Sequence, residues 1–289
     1  MATPQSARRT TTETSLENLL RRTAIGACGA IGVVVGAVVG FVLLKVVGLV
    51  IGVLVVGGAA AAYGTFVVGR VVDGALDVVM ARVESQRLDT ATAPRLFNLL
   101  EGLCAVTGVQ MPVVSVTSDG GINALTAADP ARERNAELVV TSGLVEQLER
   151  IEMEGVIAVC LARLRSGSAE DETLVTALRI HKPWFLTTST MRRLADSVHG
   201  GDVFDADVKG AGITRYPPGL AAAYQRMIDT STLVTGFDVE LANLWVADPR
   251  GETQVADNVA ASRAEGSRVE TPTDSRPPLH ERLALLREI

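Results

Sequence analysis

Between residues 24 and 69 the chain carries one charged residue, Lys45. The runs on either side, 24–44 and 46–69, are each about 20 residues long, the length at which a helix crosses about 30 Å of hydrocarbon. A single continuous helix would be about twice too long for a bilayer. It would also hold Lys45 near the midplane, at a cost of a few kcal/mol. Two spans with Lys45 at the turn remove both conflicts, so residues 24–69 are expected to form a transmembrane hairpin. A cleaved signal peptide is a poor alternative, because the run is too long and a tail with Arg8, Arg9, Arg21 and Arg22 precedes it. Arg70, Arg82 and Arg87 follow the second span, whereas the turn holds one Lys. The positive-inside rule then places both termini and the main domain in the cytoplasm, on a multi-pass membrane protein. Residues 1–23 are read as a flexible cytosolic tail. Gly32, Gly36 and Gly40 are spaced four apart, and Gly48 and Gly52 repeat the spacing. Small residues at that interval let helix backbones approach closely. Packing of the two spans on each other is the favoured reading, and a homo-oligomer interface through Gly32, Gly36 and Gly40 is the other.

The 289 residues are 47% hydrophobic and 21% charged, which excludes a disordered chain. A net charge of -6 leaves no basic field to attract nucleic acid. Cys28, Cys104 and Cys160 are too few and too far apart for a disulfide framework or a Cys-x-x-Cys metal pair, which suits a reducing compartment. Any histidine-based centre must draw on His181, His199 and His280, the chain's only three.

Past the hairpin, Val72, Leu76, Val79 and Val83 repeat at helical spacing, so residues 70–93 are read as an amphipathic stalk helix. Residues 94–250 form the main domain. Pro94 opens a helix carrying Leu96, Leu99, Leu100 and Leu103. Three short strands are expected near 112–116, 122–127 and 137–142, followed by a strong helix over 152–164. Helices are also expected over 174–194, from Asp205 towards Tyr216, and over 219–230. Residues 251–278 are poor in apolar residues and read as a disordered linker. A short amphipathic helix closes the chain over 279–289. The fold class is α+β, mainly helical, with a small sheet.

Several strings occur in the order found in the HtpX-type membrane zinc endopeptidases. They are Ala93-Pro-Arg-Leu-Phe-Asn-Leu-Leu-Glu, Met111-Pro-Val-Val-Ser-Val, Ile122-Asn-Ala-Leu-Thr-Ala, Val140-Thr-Ser-Gly-Leu-Val-Glu and Glu154-Gly-Val-Ile-Ala. Further along come Ile213-Thr-Arg-Tyr-Pro-Pro-Gly-Leu, Asn243-Leu-Trp-Val-Ala-Asp-Pro and Pro277-Pro-Leu-His-Glu-Arg-Leu. The chain resembles that family over 94–249 and the last dozen residues, and the resemblance implies a zincin-like cytosolic domain behind the hairpin.

The resemblance also implies a His-Glu-x-x-His helix, in which two histidines one turn apart bind zinc and the glutamate is the general base. Val159 and Arg163 stand where the histidines would be, and Cys160 stands at the base. The family's third ligand, a glutamate four residues before the Asp of an Ala-Asp pair, is Val203 here, ahead of Ala206-Asp207. Valine has no lone pair, and arginine stays cationic, so neither ligates a dication. Cys160 alone falls short of the three protein ligands of a catalytic zinc. The expectation is a degenerate site with no metal, zinc or other cofactor. A salt bridge between Arg163 and Asp207 is expected in its place.

Other residues admit rival readings. Cys160 as a nucleophile with His181 or His199 as base is outweighed by an inert core thiol. His181 and His280 read as solvated or structural. Asp202, Asp205 and Asp207 could bind a hard cation, but a solvated, helix-capping cluster is favoured. Asn123, which the resemblance places on a strand that accepts an extended peptide, either marks a surviving peptide groove or caps a turn. The expected function is a catalytically inactive membrane scaffold, adaptor or regulator in membrane protein quality control. It would contact the lipid bilayer and a protein partner or client peptide. The competing reading is an active metalloendopeptidase or other hydrolase with a non-standard site.

Overall fold

The computed structural model describes residues 4–131, 135–183, 186–199, 202–251 and 277–289. Its first element, α1 (Pro4–Asp73), is helical over 70 residues but is not straight. A Cβ built on Gly36 would fall 2.2 Å from the Gly52 carbonyl oxygen, one on Gly32 2.7 Å from Gly57 Cα, and one on Gly64 2.9 Å from Cys28 Sγ. In a straight helix residues 36 and 52 would stand about 24 Å apart. These pairs are centred on positions 44 to 46, so α1 folds back on itself around Lys45. Two stretches, Leu20–Val39 and Ile51–Asp73, are long and apolar enough to cross a membrane. Val34, Val38, Leu54, Val55 and Phe66 point outwards on them. So large an apolar surface belongs in lipid rather than water, and the chain is a membrane protein.

Gly32 and Gly36 are therefore occupied within the hairpin and are not available as an oligomer face. The side chains around Gly40 lie outside the described residues. The close approach has a measurable consequence. Gly36→Val will lower the melting temperature of the detergent-solubilised protein, because its side chain meets the Gly52 backbone. Gly29→Ala, with nothing within 4 Å of the added methyl, will leave it unchanged. Equal behaviour of the two variants would refute the hairpin contact.

Two expectations at the ends of the hairpin are corrected. The stretch 1–23 is helical from Pro4 instead of a flexible tail. Glu13, Leu16, Glu17, Leu19, Leu20 and the two arginines after them are good helix formers, so the first span extends backwards. The stalk is shorter than expected. It breaks at Gly74, resumes as α2 (Ala75–Met80), and gives way to strand β1 (Gln86–Arg87). Pairing of β1 with a later strand overrides the local helical pattern there.

After α3 (Pro94–Thr107), with Pro94 in its first turn, come β2 (Val113–Thr117), β3 (Ala124–Ala128) and β4 (Ala136–Thr141). The sheet order is β1-β2-β4-β3, with β2 and β4 parallel and both outer pairs antiparallel. Alternation along the strands sends side chains to two cores. Val114, Ala124, Leu138 and Val140 face one cluster, whereas Leu125, Ala127 and Val139 face the other. The first cluster is filled by α3, α5 (Arg150–Ser166), α8 (Asp202–Thr214), α9 (Pro217–Asp229) and α10 (Leu279–Glu288). The second is filled by the foot of the hairpin, α2, α6 (Ser168–His181), α7 (Thr188–His199) and Trp245. A short helix, α4 (Ser142–Gln147), links β4 to α5, and a 3-10 turn (Val239–Leu244) precedes Trp245.

The helix expected over 174–194 is two helices. Lys182 adopts a left-handed conformation (φ 43°) as the C-cap of α6, and Pro183 cannot continue the hydrogen-bond ladder. Of the expected linker, residues 252–276 lie outside the described residues.

Candidate functional site

The centre of the domain is α5. Its N-terminus is fixed by a reciprocal cap, in which the Glu149 side chain accepts from the Glu152 amide and the Glu149 amide donates to Glu152 Oε2 at 2.8 Å. Arg226 from α9 grips the same Glu152 through Nε and Nη2 at 2.9–3.0 Å. From Val156 to Leu164 every residue of α5 is buried, as befits a helix enclosed on all sides. Gly155 and Gly210 permit that enclosure. A Cβ on Gly155 would meet the Leu220 backbone at 2.8 Å, and one on Gly210 would meet Val159 Cγ2 at 2.7 Å. Val159 thus lies directly against α8, and Val203 is buried close by.

Arg163 and Asp207 are both buried, but they do not pair with each other; this corrects the expected bridge. Arg163 Nη2 pairs with Glu172, which α6 brings back beside α5 through the one-residue break at Gly167 (φ 86°). Its guanidinium also donates to Leu244 O at 2.9 Å and to Asn243 O at 3.3 Å. Asp207 is taken by Arg282 of α10 in a bidentate pair, both contacts 2.7 Å. Tyr224 donates to Asp207 Oδ1 at 2.5 Å, and the Arg282 guanidinium lies 4.7 Å from the centroid of its ring. Burial pushes the Tyr224 phenol well above its usual range, against the pull of Arg282, so it stays neutral. The sequence reading paired Arg163 with an α8 acid because both flank the expected metal position. The structure divides that position between two separate ion pairs.

Both guanidinium groups hold one segment. Arg163 takes carbonyls 243 and 244, and Arg282 donates to Val246 O at 2.5 Å. On its other side the segment is bound to the edge of the sheet. Val246 N donates to Ala124 O at 2.7 Å, and Trp245 bridges to Leu125. Asn123 completes the attachment. Its Nδ2 donates to Ala247 O and Thr232 O, and its Oδ1 accepts from the amides of Ala124 and Ala247, all at 3.0–3.1 Å. Asn123 is fully buried and its side chain is saturated, so it lines no open groove. Residues 243–247 occupy the outer edge of β3 and the gap towards α5.

The space left between Val159, Arg163, Glu172, Val203, Ala206, Val246 and Arg282 is about 10 Å³. Its wall carries two guanidinium groups, and both nearby carboxylates are neutralised by them. A divalent metal does not fit these residues. Among the described residues no three His, Cys, Asp or Glu side chains converge on one point. His181 and His280 are exposed, and the side chain of His199 lies outside the described residues. Asp205 faces solvent and pairs with Lys209, away from buried Asp207, and the Asp202 side chain lies outside the described residues. Cys160 is buried in the core between α5 and its neighbours. Sequence reasoning missed Glu172, Tyr224 and Arg282. Arg282 lies in the recognised C-terminal string, which was the available signal; nothing local marks Glu172.

Fold and site together define a membrane-anchored α+β domain built around one enclosed helix. No model of a known protein family matches the chain, and no solved structure does. Curated proteins named Protease HtpX homolog do match. The one from Leuconostoc citreum is 27% identical over 305 aligned positions, covering 92% of this chain and 94% of that protein. The one from Tropheryma whipplei is 27% identical over 209 positions, covering 61% and 70%. A shorter stretch of the Streptococcus thermophilus protein is 33% identical over 103 positions, covering 35% and 33%. The chain is similar to these proteins over most of its length.

Proposed function

We propose that the chain is a catalytically inactive HtpX-like membrane protein, acting as a scaffold, adaptor or regulator in membrane protein quality control. The observation that carries this reading is the buried Arg163–Glu172 pair, clamped to carbonyls 243 and 244. A permanent cation fills the place where a hydrolytic metal would sit. With the β3 edge covered by 245–247, an extended substrate has no strand to pair with at this helix.

The purified protein is expected to hold no stoichiometric zinc and to leave casein intact. About one equivalent of zinc, with casein cleavage stopped by a chelator, would overturn the reading in favour of an active hydrolase. The orientation belongs to the same proposal: both termini and the main domain lie in the cytoplasm. Lys45→Cys should react with a membrane-impermeant maleimide from outside intact cells, and Arg87→Cys should not. The reverse pattern refutes that topology.

A further inference from the structure

A second cavity, of about 610 Å³, lies on the sheet face opposite α5, beside the foot of the hairpin. Its size is that of a ligand pocket, typically about 300–1,000 Å³. It forms at a step in the sheet edge. The antiparallel β1–β2 pairing ends at Gln86 opposite Val116, one residue before β2 itself ends at Thr117, and Ser118 and Asp119 run on along the cavity wall. The 82–86 loop closes one side of this step, and Phe237, Leu241 and Trp245 supply an apolar wall.

Two observations point to an occupant. Thr117, a residue only 4% exposed, lines the cavity, and its buried hydroxyl has no hydrogen-bond partner. The charge of the lining is also unbalanced. Glu84, Asp119 and Asp238 are acidic, and Arg82, the one cation among the lining residues, already pairs with Asp238. Asp119 spends Oδ1 on the Thr235 amide and hydroxyl, which fixes its carboxylate at the cavity wall. An acidic cleft with an apolar wall and several hydroxyls selects a ligand that is cationic, partly apolar and rich in hydrogen-bonding groups. The unpaired end of β2 at Thr117, with Ser118 and Asp119 running on from it, favours an extended backbone.

We propose that this cavity binds an extended basic peptide segment, of the kind that flanks a membrane span on its positively charged side. The site lies where such a segment would emerge, next to the residues that follow the protein's own second span. The proposal does not depend on whether α5 holds a metal, so the zinc and casein measurements leave it standing or falling on its own.

The test uses the full-length protein in uncharged detergent micelles and a fluorescein-labelled Val-Arg-Val-Arg-Thr-Val-Arg peptide, read by fluorescence anisotropy. Saturable binding is expected, weakening with added salt. The same peptide with Glu for every Arg should bind at least about tenfold more weakly. Glu84→Lys, a change at an exposed position of the cavity wall, should weaken the basic peptide by a similar factor. Ser118→Trp, which fills the mouth of the cavity from an exposed position, should abolish binding. Absence of saturable binding overturns the proposal, as does equal binding of both peptides to the unmodified protein. Binding that survives Ser118→Trp, or that appears only when anionic lipid is added to the micelles, overturns it as well.

Discussion

Arg282→Met will destabilise the cytosolic domain by about 3–5 kcal/mol, the cost of leaving one member of a buried ion pair alone. Asp207 is fully buried, and its partners are the Arg282 guanidinium and the Tyr224 hydroxyl. Removing the guanidinium strands the carboxylate and also releases the carbonyl of Val246. Arg282→Lys should recover little, because an ammonium cannot reproduce the bidentate fork while reaching Val246. The effect can be read from the urea midpoint of Trp245 fluorescence in a Trp184→Phe background, since Trp245 sits on the clamped segment. A loss under about 1 kcal/mol would mean that the pair behaves like an exposed one and does not hold α10 to the core.

The same residues indicate how far the chain can be read without a structure. The hairpin was legible because burial in lipid imposes length and charge rules that act on local sequence alone. The three main strands were legible as short runs set off by turn residues, and α5 as a helix with Val156, Val159, Cys160 and Arg163 on adjacent faces. What failed was set by distant partners. β1 is two residues long and exists because Val116 and Ser115 lie opposite it. Residues 82–87 continue a helical pattern up to that point, and nothing local signals the change. The candidate site failed in the same manner. The order of the family-like strings made Arg163 and Asp207 candidate partners, but it could not show the direction in which each side chain leaves its helix. Glu172 reaches Arg163 only because Gly167 turns α6 back along α5, and Arg282 arrives from the far end of the chain.

A double-mutant cycle on Arg163 and Glu172 will separate two contributions that one substitution confounds. Arg163→Met alone leaves Glu172 buried and unpaired, and should cost about 3–5 kcal/mol. Arg163→Met combined with Glu172→Leu removes both charges, and exchanging a buried pair for apolar side chains is often neutral or better. Full recovery is nevertheless not expected here. The Arg163 guanidinium also serves the carbonyls of Asn243 and Leu244, and the double variant leaves them without that donor. A poorly satisfied buried carbonyl costs about 1–3 kcal/mol, so the double variant should remain about 1–2 kcal/mol below the parent. Recovery to the parent's stability would show the charge pair to be the whole interaction and the hold on 243–244 to be incidental. No recovery at all, with the double variant as unstable as Arg163→Met, would show that Glu172 is not coupled to Arg163. In that case the guanidinium acts through the 243–244 backbone alone. The expected intermediate result makes Arg163 both the counter-ion of α6 and the anchor of the segment that covers β3.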